Sequence, residues 1–156
     1  WTWDGISFRF LLPLPGRWGS RNDRSCVLRI SDGISSVLLT GDIESGAERI
    51  LVGRYGGALR SNVMIVPHHG SNTSSSQLLL DVVQPDIAIV SRGASNRFGH
   101  PRAAVVRRYE EKRVIWLDTA EQGAILVKVQ QGRVNWRPWA GSQMRFWHSP
   151  QRGLMR

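Results

Sequence analysis

The chain has 156 residues, 41% of them hydrophobic, which suits one globular domain or part of a larger one. Its single cysteine excludes an internal disulfide framework and a multi-cysteine zinc site. The net charge of +9, from 21 basic and 12 acidic residues, suits contact with a polyanion such as nucleic acid or an anionic membrane. A codon bias toward arginine explains the same charge without any partner, so both readings stay open.

The beginning of the chain is rich in predicted strands. The stretch "GISFRFLLP" alternates apolar and polar residues and predicts a strand that ends at Pro13. After a loop of Pro, Gly and Arg residues, "CVLRISDGISSVLLTGD" predicts a hairpin with strands over 26–30 and 36–40 and a turn at Asp32 and Gly33. Cys26, in the first of these strands, is predicted to be a small core residue.

Strands and helices then alternate. Apolar residues at helical spacing predict a helix from Ile43, and "SNTSSS" supplies N-cap residues for another over "SQLLLDVV". Pro101 is placed to begin a third, "PRAAVVRRYEEK". The predicted strands are "NVMIVP", "DIAIVS", "RVIWL", "GAILVKV" and "RVNWRPW". This order predicts a mixed α/β layered domain over 1–139 and a loosely ordered Arg- and Trp-rich tail over 140–156, in which His148 is incidental.

Polar residues follow several predicted strands, where function is expected to lie. Asp42 comes directly after "SVLLTG"; it is placed either to cap the next helix or to bind a metal ion. His68 and His69 follow Pro67, and an imidazole there is either structural or a ligand for zinc or manganese. In an extended chain their side chains point to opposite faces, unless the backbone turns, as Gly70 allows.

His100 lies between a glycine and Pro101, where it either caps a turn or serves in metal binding or proton transfer. One carboxylate and three histidines make a sparse set, since a catalytic zinc site takes three protein ligands plus water. The sequence contains no HxHxDH or HExxH cluster, no GxSxG nucleophile elbow and no phosphate-binding glycine motif.

Four segments, "NDRSCVLRI", "SVLLTGD", "MIVPHHGSNTSSS" and "IVSRGASNRFGHP", occur in this order over roughly residues 3–130. This pattern resembles the C-terminal metallo-β-lactamase-like domain of the ComEC/Rec2 family of competence proteins. The resemblance implies an αββα sandwich and a two-metal phosphodiesterase, with Zn or Mn, that degrades one strand of incoming DNA. It also implies an inner-membrane location through other parts of the parent protein, with this domain on the periplasmic face.

The resemblance also implies roles for individual residues. Asp42 corresponds to the bridging metal ligand, and one of His68 and His69 to a second ligand, while the other contacts phosphate or orients the first. His100 lines the same cleft, where it and Asp42 are the candidate catalytic residues. The candidate substrate-binding residues are Asn22, Ser25, Ser71 and Asn96.

The family's HxHxDH-like cluster and first β-rich layer precede these motifs and are absent from this sequence, which begins at Trp1. We therefore expect the C-terminal half of the sandwich, a mixed sheet with flanking helices, with little metal binding or nuclease activity alone. We also expect an exposed apolar sheet surface on which a homodimer could form. Two alternatives stay open: a non-catalytic module that guides single-stranded DNA, and a hydrolase of another phosphodiester.

Overall fold

A seven-stranded mixed sheet organises the protein, whose computed structural model describes residues 1–15 and 19–139. The strands of this sheet are Thr2–Trp3 (β1), Ile6–Leu12 (β2), Val27–Ser31 (β3), Ser36–Leu39 (β4), Val63–Ile65 (β5), Ile87–Val90 (β6) and Ile115–Asp118 (β7). A separate hairpin consists of Ile125–Gln130 (β8) and Arg133–Pro138 (β9). The helices are Ser45–Tyr55 (α1), Gln77–Val83 (α2), Ala103–Glu111 (α3) and Thr119–Gln122 (α4). The predicted tail, with His148, lies outside the described residues.

The strands of the main sheet lie side by side in chain order. Strands β1 to β4 pair antiparallel, and β4 to β7 pair parallel, with α1, α2 and α3 as the crossovers. A parallel pair needs such a crossover because the chain must return to the edge at which the previous strand began. The mixed sheet with flanking helices that the sequence predicts is thus confirmed.

Helices cover one face of the sheet and form the main core. The buried side chains there come from the sheet (Leu38, Met64, Ala88, Val90) and from the helices (Leu51, Leu79, Val105, Tyr109). The four residues of β6 are all buried, as expected for a strand that is covered on both faces. This packing fixes the position of the loops that leave the carboxyl ends of the parallel strands.

The β8–β9 hairpin covers part of the opposite face. Its valines and Ile125 pack on Val63, Ile87, Ile89 and Leu117, and its turn docks through the amide of Gly132, which donates to Ser35 Oγ (2.6 Å). At the β1–β2 end this face stays open, and Trp3 (74%) and Phe10 (56%) are exposed there. The predicted exposed apolar surface is therefore present only at β1 and β2, whereas the hairpin covers β5–β7 and Val37 of β4.

Three local predictions differ from the structure. Cys26 is exposed rather than buried, because β3 begins at Val27 and it is the Val27 side chain that enters the core. Helix α1 begins at Ser45, so Asp42 lies too far upstream to cap it. Helix α3 begins at Ala103, with Arg102 rather than Pro101 or His100 at the cap position.

Asp23 takes over the capping of α1 from a distant part of the sequence. Its side chain is buried, and Oδ1 accepts the backbone amides of Glu44 (3.0 Å) and Ala47 (3.3 Å), while Oδ2 accepts that of Ser20. Burial alone would raise the pKa of this carboxyl, but these hydrogen bonds together outweigh it and lower the pKa below its ordinary value. The carboxylate thus ties the loop before β3 to the start of α1.

Replacement of Asp23 by alanine is expected to lower the free energy of unfolding by about 1–3 kcal/mol at neutral pH, because three backbone amides, that of Ala47 buried, lose their acceptor. A lowered pKa in the folded state means that this stabilisation is present above roughly pH 4 and is lost as the pH falls through the folded-state pKa. Urea unfolding of Asp23→Ala and the unchanged chain at neutral and acidic pH measures both effects. Asp81→Ala, which removes a surface carboxylate, is the control. An equal difference at both pH values would contradict the assignment.

Candidate metal centre at the carboxyl edge of the sheet

The loops that leave β4, β5 and β6 meet at one edge of the sheet. The amide of His68 donates to the carbonyl of Gly41 (3.1 Å), which joins the loop after β5 to the loop after β4. The amide of Arg102 donates to the carbonyl of Gly70 (2.9 Å), which joins the loop over 91–102 to the same place. The predicted site residues Asp42, His68, His69 and His100 consequently lie on adjacent loops.

The two histidines lie in an unusual backbone conformation. His68 (φ 48°, ψ 41°) and His69 (φ 53°, ψ 21°) are both left-handed within the 3-10 turn Pro67–Gly70. A residue other than glycine in this region costs on the order of 1–3 kcal/mol, and such strain is concentrated at functional sites. The backbone turns at the histidines themselves, so the opposite orientation expected for neighbours in an extended chain does not apply.

Asp42 and His69 form the pair that is best suited to bind a cation. His69 Nε2 lies 3.4 Å from Asp42 Oδ1, and each side chain is about half exposed (50% and 46%). His69 Nδ1 lies 2.6 Å from the carbonyl oxygen of Ser91 and must donate its proton there, since a carbonyl can only accept. With that proton on Nδ1, Nε2 faces the carboxylate and can bind a metal ion through its lone pair, an arrangement typical of metal-binding histidines.

The spacing of these two atoms fits zinc. Bonds of about 2.0–2.1 Å at a tetrahedral angle place two ligand atoms about 3.3–3.4 Å apart, and the observed separation is 3.4 Å. Within the described ranges, no group of three or more His, Cys, Asp or Glu side chains is arranged to hold a metal ion. The Asp42–His69 spacing is therefore compatible with two ligand positions of a zinc site, and metal binding by this pair stays a prediction.

His68 belongs to a different set of contacts. Its Nδ1 lies 3.4 Å from Glu44 Oε1 and 3.4 Å from Thr73 Oγ1, and its Nε2 lies 3.5 Å from the amide nitrogen of Asn22. Glu44 also accepts hydrogen bonds from Asn22 and Thr73, so it is the centre of this cluster. The sequence analysis missed Glu44, although its position two residues after Asp42 placed it beside the same strand end.

The ring of His100 lies beside that of His68. The two ring centroids are 5.9 Å apart with an edge-on orientation, and Phe98 stacks on the other side of His100 at 6.0 Å. Burial, together with the neighbouring charge of Arg102, lowers the pKa of His100 below its ordinary value and favours the neutral ring. Its buried Nδ1 has no hydrogen-bond partner among the described residues.

The predicted substrate-binding residues support the loops. Ser25 Oγ accepts the backbone amide of Asp42 (3.1 Å), and Asn96 both accepts from the amide of His100 (2.9 Å) and donates to its carbonyl (2.8 Å). Ser71 is buried, with its hydroxyl 3.1 Å from that of Thr73. Their contact with a substrate stays a prediction, as does that of Asn22.

Buried polar groups of α1 and α3 hold the segment that follows His68 and His69. Glu48, fully buried in α1, accepts the amides of Ser75 (2.5 Å) and Ser76 (2.8 Å). Arg108 of α3 donates to the carbonyls of Ser74 and Ser75 (3.0 Å each), and Ser74 donates to the carbonyl of Pro67 (2.8 Å). Two helices thus fix the segment that follows the strained turn, and this fixes the turn itself.

A family model described as the metallo-beta-lactamase superfamily matches residues 1–94, and the chain belongs to this superfamily. The matched part contains β1 to β6, α1, α2 and the Asp42 and His69 loops, whereas His100, α3 and β7 follow it. In the part of the chain that the structure describes, no helix is long and apolar enough to cross a bilayer.

Three relatives extend the similarity to competence proteins. Competence protein ComA of Neisseria gonorrhoeae is 42% identical over 134 residues, which is 86% of this chain and 19% of that protein. An uncharacterized protein, YcaI of Escherichia coli, is 40% identical over 81% of this chain and 17% of its own length. Recombination protein 2 of Haemophilus influenzae is 37% identical over 89% and 18%. The chain thus spans less than a fifth of these relatives, and the resemblance to the competence family is confirmed.

The contact between Gly70 and Pro101 yields a prediction about the site. Gly70 has φ +82°, and a Cβ there would lie 2.6 Å from Cβ of Pro101. We expect Gly70→Ala to destabilise the protein by about 1–3 kcal/mol and to displace the His100 loop, because both backbones must move. Gly53→Ala is the control, since Gly53 lies in α1 with open space around it and alanine favours a helix. Thermal unfolding of both variants tests this expectation; a neutral Gly70→Ala would contradict it.

Proposed function

We propose that this chain is part of a metal-dependent phosphodiesterase domain that cleaves DNA during its uptake by a competence protein. The observation that carries the proposal is the Asp42–His69 pair, whose donor atoms lie 3.4 Å apart with the His69 tautomer fixed by Ser91. The printed names of two relatives, a competence protein and a recombination protein, support DNA as the substrate. The net charge of +9 is consistent with a polyanionic substrate.

Each residue of the site has a distinct part in this proposal. Asp42 and His69 would hold a divalent cation, Zn or Mn, which when bound would supply Lewis-acid stabilisation of the phosphodiester and a nucleophile at neutral pH. Ser25 holds the backbone of Asp42, and Ser91 orients the ring of His69. His100, whose ring lies beside that of His68, is the candidate to contact the substrate. The remaining ligands would come from outside the described residues.

Metal titration with matched variants tests the ligand assignment. We expect Asp42→Ala and His69→Ala to weaken the binding of Zn²⁺ or Mn²⁺ by roughly tenfold or more, because each removes a direct ligand. His68→Ala is the matched control, since it removes an adjacent imidazole that contacts Glu44 instead. Isothermal titration calorimetry measures all three affinities in a longer polypeptide that carries this chain after its preceding residues, because we expect the chain alone to bind little metal. A loss that follows His68 rather than His69 would contradict the assignment.

A nuclease assay tests the activity. We expect a longer polypeptide that carries this chain after its preceding residues to cleave single-stranded DNA, and Asp42→Ala to abolish this cleavage. We expect little cleavage by the chain alone, because its described residues do not supply a complete ligand set. Absence of Asp42-dependent cleavage in the longer polypeptide would refute the nuclease. Strong cleavage by the chain alone would refute the incomplete site.

A second candidate function is the guidance of single-stranded DNA without cleavage. It is favoured by the presence of only two suitably placed metal ligands among the described residues. A guide that relies on phosphate contacts binds less tightly as the salt concentration rises, and its binding survives Asp42→Ala. Electrophoretic mobility shifts across a salt series, combined with the nuclease assay, separate this function from the first.

We further propose that the domain is held at the inner membrane of a bacterium by other parts of a longer protein and faces the periplasm. The names of the competence and recombination relatives support this placement, because a strand must be removed before its partner is transported. Protease digestion of spheroplasts tests the orientation: the domain should be cleaved in intact spheroplasts, and protection until lysis would contradict it.

A further inference from the structure

A cavity adjoins Asp42 and His69, the proposed metal pair. It has a volume of about 300 Å³ and mostly apolar walls, and its lining includes His69, Arg92, Asn96, Phe98 and His100. This volume lies at the lower end of the ~300–1,000 Å³ range typical of small-ligand pockets. Because His69 belongs both to this cavity and to the metal pair, a molecule bound in the cavity lies directly beside the phosphodiester site.

Phe98 gives the cavity a flat aromatic wall. Its side chain is 60% exposed, yet it stacks on His100 with only 14° between the ring planes, and the guanidinium of Arg97 lies 5.1 Å from its centroid. Most of the ring is therefore open to contact with a bound molecule. An exposed aromatic ring beside an arginine is the arrangement on which proteins stack the bases of single-stranded nucleic acids.

Most polar groups around the cavity are already engaged. The side-chain amide of Asn96 exchanges hydrogen bonds with the backbone of His100 and also donates to the carbonyl of Gly93, and Nε of Arg92 lies 2.7 Å from Asp118 Oδ2. The carbonyl of Ser91 accepts the proton of His69 Nδ1. Hydrogen-bonding groups on the edge of a bound base thus find few free partners here, whereas its flat face finds Phe98.

We infer that this cavity binds one unpaired nucleobase by stacking on Phe98, with little preference among bases. The inference deepens the proposed function, on which it rests for the position of the adjacent phosphate. A base inside a duplex cannot enter, because its faces are covered by neighbouring pairs. The cavity therefore makes Phe98 a substrate-positioning residue that selects single-stranded over double-stranded nucleic acid.

Fluorescence anisotropy with the complete chain tests the inference. The probes are a short oligothymidylate, an equally long oligomer of abasic sites and a blunt duplex, all at the same low salt concentration. For the unchanged chain we expect the tightest binding to oligothymidylate. We expect Phe98→Ala to weaken that binding on the order of tenfold and to leave the abasic oligomer unaffected, because only the stacking contact is lost. Phe98→Trp should retain it.

Phe10→Ala is the matched control, because Phe10 is also an exposed phenylalanine (56%) but lies on β2, near the far edge of the sheet. The inference is overturned if the unchanged chain does not bind oligothymidylate more tightly than the abasic oligomer. It is equally overturned if Phe98→Ala has no effect or weakens both oligomers alike, or if Phe10→Ala reproduces its effect. Metal titration of a longer polypeptide that carries this chain after its preceding residues reports on the proposed function separately: base-dependent binding through Phe98 without metal binding by Asp42 and His69 in that polypeptide would refute the nuclease and leave the inference intact.

Discussion

Parallel pairing of β4 to β7 is the constraint on which the candidate site depends. Each pair of neighbouring parallel strands must be joined by a crossover, and the three crossover helices pack on one face of the sheet. As a result, the loops after β4, β5 and β6 all leave the sheet at the same edge. Asp42, His69 and Ser91 are far apart in sequence but come within hydrogen-bonding distance or close to it, because each lies shortly after one of these strands. The position of such sites at the carboxyl ends of strands is a general feature of α/β sheets.

The site also shows how the fold stabilises a costly backbone. Two successive histidines in the left-handed region oppose the preference of the local chain. The surrounding structure fixes them through the carbonyl of Gly41, through the close approach of Gly70 to Pro101 and through the buried side chain of Glu48. Burial raises the pKa of Glu48, although two backbone amides donate to it. Burial of the Glu48 carboxyl group is thus costly, and its structural role is to hold the loop through the amides of Ser75 and Ser76.

Local sequence patterns predicted most helices and strands well. They failed for features that depend on residues distant in the sequence. Ser76 caps α2 as its sequence suggests, and the β3–β4 hairpin turns at Asp32 and Gly33. The cap of α1 comes instead from Asp23, which lies 21 residues before Glu44, so no local pattern reveals it. The sequence also left open which histidine of the pair is the ligand. That choice depends on a left-handed turn and on the carbonyl of Ser91, which becomes adjacent only when β5 and β6 pair.

The arrangement divides the two histidines between two roles. His69 faces Asp42 with a fixed tautomer, whereas His68 contacts Glu44, Thr73 and His100. Long-range proton–nitrogen correlation spectra of the imidazole rings, recorded with and without Zn²⁺, test this division most directly. The structure predicts that His69 carries its proton on Nδ1 and that its Nε2 resonance shifts on addition of Zn²⁺, while His68 stays unchanged. A proton on Nε2 of His69, or a metal-dependent shift at His68 instead, would contradict it.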